Sequence, residues 1–313
     1  MPVKALVITG PTASGKTSVS IELAHRFGAE VISADSMQIY KYMDIGTAKP
    51  TAEEMEGIPH HMLDVVFPWE EYSVAQYAEN ARRCIRETAR RGRLPIITGG
   101  TGLYINALVD NIQFNRFPDL LPEEIAELED YARERGAEAL YELLRNEDPE
   151  AALQIHFNNI KRVVRAIGMK RRTGMTLAER NRASRSCPPE VEYTVYALET
   201  DRGLLYERIN RRVDQMLRAG FADEVRNVIK ICENAYTLGE TQQESLGKTA
   251  LQAIGYKEMI ACFNGEYDFE TAVERIKQST RHYAKRQITW FRKPAWVNWI
   301  GLEDLRCIKR PEE

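Results

Sequence analysis

Residues 10–17, Gly10-Pro11-Thr12-Ala13-Ser14-Gly15-Lys16-Thr17, carry the spacing G-x-x-x-x-G-K-[ST]. The stretch before them (ALVIT, 5–9) is apolar and β-branched, and the one after them (SVSIELAHRFG) has helical spacing. A strand, a glycine-rich turn and a helix in that order allow backbone N–H groups to curl around phosphate oxygens at the positive end of a helix dipole. Lys16 would reach the terminal phosphate and the Thr17 hydroxyl would hold Mg²⁺. The pattern points to a phosphorylated ligand without saying which one.

Other residues could do chemistry beside it. Glu30–Ala34 reads as a second buried strand, which puts Asp35 at a carboxyl strand end, where open α/β sheets place ligands. Asp35 could cap a helix, hold Mg²⁺ or act as a general base, and its local sequence leaves these open. A third strand, Leu94–Thr98, leads into Gly99-Gly100-Thr101-Gly102, where the glycines imply positive φ or a close ligand approach, unless they form a plain tight turn. After a strand at Tyr193–Leu198 come Arg202, Arg208, Arg211 and Arg212, either a phosphate clamp or exposed helix decoration. A last long helix spans roughly 270–293. It carries Lys277, Arg281 and Lys285 on one face, flanked by Arg286, with Tyr283, Trp290 and Phe291 interleaved as core or as base-stacking rings.

These positions need a scaffold. Alternating strands and helices predict an α/β fold, a P-loop NTPase-like parallel sheet flanked by helices. Ser73 and Gly92 bracket a helix over 72–91. The alternation breaks over residues 113–189, which read as an inserted all-helical subdomain, leaving 1–112 and 190–313 as the catalytic core. Charge is segregated although the net value is only −3. Residues 119–150 hold twelve acidic and three basic residues, residues 160–186 nine Lys/Arg and one Glu, and residues 275–293 seven Lys/Arg and no acid. Two concentrated basic strips in a weakly acidic chain suggest directed polyanion binding, or else two solvated helix faces.

Composition also excludes classes. The five cysteines, at 84, 187, 232, 262 and 307, fit neither a disulfide framework nor a CxxC zinc site. His60 and His61 are adjacent and would point apart, which argues against structural zinc. No apolar run approaches the ~20 residues of a membrane helix, and the N-terminal apolar stretch is too short for a signal peptide. The expectation is a cytoplasmic protein with no membrane partner.

Eight segments in order, GPTASGKT (10–17), ADSMQIY (34–40), GTAKP (46–50), PHHMLD (59–64), GGTGLY (99–104), KRVVRA (161–166), AIGYKE (253–258) and TRHYAKRQITWFR (280–292), resemble the signature set of the tRNA dimethylallyltransferase family. The match spans about residues 4–293; the first segment is common to many P-loop enzymes, and the later ones in this order are far more specific. The resemblance implies transfer of a dimethylallyl group from dimethylallyl diphosphate to N6 of adenosine 37 in the tRNA anticodon loop, with Mg²⁺; a monomer is the expectation, although the sequence does not fix the oligomeric state. Gly10 to Thr17 then cradle a diphosphate instead of ATP, with Thr17 on the metal. Asp35 matches the general base, Thr101 the residue at the target adenine, and Lys16 and Arg208 the groups on the diphosphate. Asp35, Ser36, Met37, Gln38, Thr101, Asn159, Lys161, Arg162, Val163, Arg165, Lys277, Arg281, Lys285, Arg286 and Gln287 match tRNA-contacting positions. One departure is Ile167-Gly168, where the family commonly has Leu-Glu.

The chemistry is compatible with these residues. Adenine N6 is a weak nucleophile because its lone pair is delocalised into the ring, so attack on an allylic carbon needs a base at one end and charge stabilisation at the other. The aspartate-rich DDxxD of helical prenyl synthases is absent, so the glycine-rich turn must take the diphosphate. A base in a folded loop must be extruded first, and that requires a surface that grips RNA. The competing readings are a small-molecule P-loop kinase or NTPase, a prenyltransferase of free adenine nucleotides, and a non-catalytic RNA-binding or nucleotide-switch protein.

Overall fold

The computed structural model describes residues 2–114, 117–243 and 245–311. Among them, β1 (Val3–Thr9), β2 (Ala29–Ser33), β3 (His60–His61), β4 (Leu94–Thr98), β5 (Val191–Leu198) and β6 (Val297–Ile300) form one sheet in the order β3-β2-β4-β1-β5-β6, every neighbouring pair parallel. All of β2 is buried, as are the last five residues of β1. Strands covered on both faces read as continuous apolar runs, which is why the sequence disclosed them. The two-residue β3 and the four-residue β6 carry no such run and emerge only in the structure.

Helix α1 (Lys16–Phe27) follows β1 directly. Helix α2 (Val74–Arg90) starts at Ser73, whose hydroxyl accepts from the Gln76 N–H while the Gln76 side chain reaches back to the Ser73 N–H. Helix α3 (Gly102–Val109) leaves the glycine turn after β4. Leu6, Ile8, Val31, Ile96 and Leu198 of the strands pack on Val19 and Leu23 of α1, with Ile308 closing the layer.

The chain divides into two compact units, Met1–Val109 with Glu190–Glu313, and Asp110–Pro189. The second is all-helical: α4 (Pro122–Arg135), α5 (Ala137–Glu147), α6 (Pro149–Gln154), α7 (Ile160–Thr173) and α8 (Leu177–Ser184). Its own core joins Leu128, Leu140, Leu144, Val163, Val164 and Ile167. It starts three residues before the position read from the sequence. Gly168 sits in this unit where a Cβ would lie 2.8 Å from Leu120, so the family's glutamate would require Leu120 to move.

The first unit continues with α9 (Arg202–Arg218), α10 (Phe221–Thr237), α11 (Tyr256–Phe263) and α12 (Phe269–Phe291). Asp201 caps α9 at the Leu204 N–H and Asp268 caps α12 at the Thr271 N–H. Leu205, Ile209 and Ala284, joined by Ile288 and Ala13, hold α9 and α12 against each other beside the glycine-rich turn. Among the described residues no helix is long and apolar enough to cross a membrane.

Candidate active site

The backbone leaving β1 turns through Ala13 and Gly15 at φ of 63° and 95°. Gly15 is the N-cap of α1 in the left-handed region, a conformation that other residues adopt only under strain, and it leaves the first helical N–H groups open. Lys16 Nζ folds back to donate to the Pro11 carbonyl at 2.7 Å. Burial and the nearby Arg212 guanidinium lower Lys16 to about 7, against the opposing pull of Asp35. Burial also lowers Arg212, again opposed by Asp35. Lys16, Arg208 and Arg212 line one cleft of about 1290 Å³ together with Thr12, Thr17 and Asp35. Cations crowded at a helix N-terminus repel one another, and a bound polyanion relieves that repulsion.

Asp35 stands on the rim between this cleft and a smaller apolar recess of about 210 Å³, bordered by Ile209, Val213, Met216, Ile254 and Ile276. One of its carboxylate oxygens accepts the Met37 N–H at 2.9 Å. Its other oxygen has no hydrogen-bond partner among the described residues, so Asp35 serves the local turn while it lines the cleft. Thr101 Oγ1 accepts the Ser36 N–H at 3.0 Å and lies 3.2 Å from Ser36 Oγ. The turns after β2 and β4 are thereby fixed to each other. Tyr283 of α12 is beside Asp35, Thr101 and Gln287, and burial followed by the Asp35 charge raises its hydroxyl pKa, so it stays a donor.

The glycines of residues 99–102 do not serve a positive φ. Each is closely approached by protein, and Gly99 and Gly100 also line the large cleft. A Cβ on Gly99 would fall 2.2 Å from the Ala34 carbonyl oxygen, so glycine is what lets β2 and β4 end side by side. Gln287 lies against Gly100, accepting the Thr12 N–H at 2.8 Å and donating to the Gly100 carbonyl at 2.9 Å. It is 5% exposed, which corrects its reading as an RNA contact: it is a strut tying α12 to the phosphate turn and the glycine turn.

Four more RNA-contact assignments change. Val163 is fully buried in the helical unit's core. Lys277 is paired with Asp214 at 2.8 Å and is mostly enclosed, and Arg281 donates to Asn210 at 2.6 Å, so that face of α12 turns toward α9 before it reaches Lys285. Gln38 accepts from Ser33 Oγ and donates to the Thr47 and Ala48 carbonyls, which makes it a loop brace. Lys161, Arg162, Arg165, Lys285 and Arg286 remain exposed. Asn159 is exposed too and caps α7 at the Arg162 N–H. Ser36 and Met37 border the smaller recess.

The family model for IPP transferase matches residues 38–294. The chain belongs to the IPP transferase family. Curated relatives named tRNA dimethylallyltransferase include one from Caldanaerobacter subterraneus subsp. tengcongensis, 45% identical over all of this chain and 96% of that protein. Another, from Acetivibrio thermocellus, is 46% identical over 96% of this chain and 92% of that protein. A crystal structure of a eukaryotic dimethylallyltransferase acting on tRNA superposes with a TM-score of 0.79 at 30% identity, covering 96% of this chain and 74% of that one. The full-length tRNA isopentenylpyrophosphate transferase of Bacillus halodurans matches at TM-score 0.65 and 42% identity, over 95% of this chain and 89% of that one. As a member of the IPP transferase family, the chain is a prenyltransferase.

By sequence Arg208 and Arg212 both read as clamp or decoration and the resemblance singles out Arg208 alone, although the two are four residues apart and share a helix face. Tyr283 reads by sequence as core or as a stacking ring. For a metal, Thr17 and Asp35 border one cleft, and Thr98, another of its lining residues, has a buried hydroxyl without a hydrogen-bond partner. Among the described residues no group of three or more His, Cys, Asp or Glu could hold an ion alone. Such a donor set suits a hard cation that keeps water and takes phosphate oxygens, as Mg²⁺ does.

Proposed function

We propose that this chain transfers the dimethylallyl group of dimethylallyl diphosphate to the exocyclic N6 of adenosine 37 in the tRNA anticodon loop, releasing diphosphate. The observation that carries this reading is that Asp35 shares one cleft with Lys16, Arg208 and Arg212. Gly10 to Thr17 hold the diphosphate through backbone N–H groups. Lys16, Arg208 and Arg212 stabilise the charge that grows on it as the allylic C–O bond breaks. Asp35 takes the N6 proton as the C–N bond forms, and Thr101 orients the adenine from the facing turn. Mg²⁺ bound at Thr17 would add Lewis-acid stabilisation of the departing diphosphate. The exposed cations of α7 and of the end of α12 meet RNA phosphates.

A transfer assay tests the reading. Labelled dimethylallyl diphosphate, Mg²⁺ and unmodified tRNA are combined beside an A37→G transcript and free AMP, with ATP hydrolysis followed separately. Label should enter only the A37 tRNA, and Asp35→Ala should slow it by about 10²–10⁴-fold. ATP consumption without label on any acceptor would sink the reading in favour of a kinase or NTPase.

A further inference from the structure

Three consecutive backbone N–H groups, those of Asp44, Ile45 and Gly46, point at a single carboxylate, that of Glu224 on α10. One oxygen accepts Asp44 at 3.0 Å and Ile45 at 2.7 Å, and the other accepts Gly46 at 2.9 Å and the Tyr256 hydroxyl at 2.6 Å. Four donors therefore saturate the group, two per oxygen. Burial, reinforced by Glu224, holds Tyr256 well above its ordinary value, so it remains a donor.

The segment held in this way forms a wall of the site. Asp44, Ile45 and Thr47 line the large cleft with Lys16 and Asp35, while Gly46 and Thr47 line the apolar recess. Its back face is equally constrained, because a Cβ on Gly46 would lie 2.2 Å from the Phe221 ring and 2.6 Å from the Tyr256 ring. A concave run of N–H groups is an anion receptor, and here a side chain fills it permanently. The segment has no helix or strand of its own to fix it.

We propose that Glu224 is a positioning residue for the transfer reaction. Its charge sets the 44–47 backbone as the wall against which donor and acceptor are aligned, and this rests on the function proposed above. An amide cannot replace it. Whichever way a glutamine is turned, at least one N–H is left unpaired: its NH₂ faces either Asp44 and Ile45, both donors, or Gly46 and Tyr256, where the Tyr256 oxygen can accept from it but the Gly46 N–H cannot. A wall displaced by about 1 Å can lower a reaction rate by about 10²-fold.

The test compares wild type, Glu224→Gln and Tyr256→Phe by steady-state transfer kinetics, thermal unfolding and amide hydrogen exchange of the 43–49 segment. For Glu224→Gln the expected result is a kcat lowered at least tenfold, an unchanged KM for tRNA, faster exchange confined to 43–49 and a melting temperature within about 2 °C of wild type. Tyr256→Phe keeps the three N–H bonds and should stay within about threefold of wild type. Activity of Glu224→Gln within twofold of wild type, or a loss that follows global unfolding without local exchange, overturns the proposal. Wild type that exchanges slowly at 43–49 and yet transfers no prenyl group overturns the functional reading beneath it, and the proposal with it.

Discussion

Lys16 has the ordinary lysine donors in an unusual setting, next to Arg212 and away from water, and it titrates at about 7. Its folded pKa lies below the ordinary lysine value of 10.5, so the site is fully cationic only below about 7 and loses that charge above it. An incoming diphosphate favours the ammonium form, so binding above about 7 must take up a proton. Affinity for inorganic diphosphate should fall by up to about tenfold per pH unit from 7 toward 8.5, with proton uptake visible as a buffer-dependent binding enthalpy. Lys16→Arg keeps its charge throughout and should flatten the profile even if it binds more weakly. A wild-type profile as flat as that of the variant would contradict the assignment. The sequence made Lys16 and Asp35 legible because motif spacing and a strand end mark them. It leaves Arg212 and Tyr283 between two readings and does not mark Glu224, because their roles come from contacts between α9, α10, α12 and the distant turns.

Elements place these residues, and they were legible in proportion to their length. The buried strands and the helices α1, α2 and α12 announce themselves by apolar runs or periodicity, with ends within one or two residues. The sequence reading missed β3, which is anchored by tertiary contacts. His61 of β3 reaches the Glu30 carboxylate of β2 at 2.7 Å, and Arg91 beyond α2 reaches it at 2.6 Å. Glu30 is 7% exposed at its side chain, and the hydrogen bond from Arg91, aided by His61 and Thr88 and opposed by burial, holds it at about 2. A depressed carboxyl pKa contributes stability that is complete above about 4.5 and is lost as pH falls toward about 2. Glu30→Gln should lose about 2 kcal/mol at pH 7, as hydrogen bonds to a charged group go, since its cationic partners stay partly solvated. The gap between variant and wild type should close in acid. Equal denaturant midpoints at pH 7 would show that the cluster does not hold β3 to the sheet.

At the scale of the whole molecule, the two basic strips are less generous than their composition suggests. In the helical unit Arg171 is paired with Glu147 and Arg172 with Glu124, and in the core Lys277 is paired with Asp214. The acidic stretch of 119–150 therefore neutralises part of the basic one within its own unit, something a window count of charges cannot reveal. Lys161, Arg162 and Arg165 on α7, and Lys285 and Arg286 on α12, stay exposed and are the candidates for phosphate contact. Each phosphate neutralised releases a condensed counterion, so the slope of log affinity against log salt counts such contacts at about 0.7–0.9 each. Reversing Lys285 and Arg286 to Glu should weaken tRNA binding at all sequences alike and reduce that slope by about 1–2. Reversing Arg171, whose charge is already spent on Glu147, should instead act on the stability of the helical unit and leave the slope unchanged. Equal slopes for wild type and the Lys285/Arg286 variant would remove α12 from the RNA interface and leave α7 as its remaining cationic face. Equal slopes for a variant with Lys161, Arg162 and Arg165 reversed to Glu as well would mean that neither strip meets the phosphate backbone.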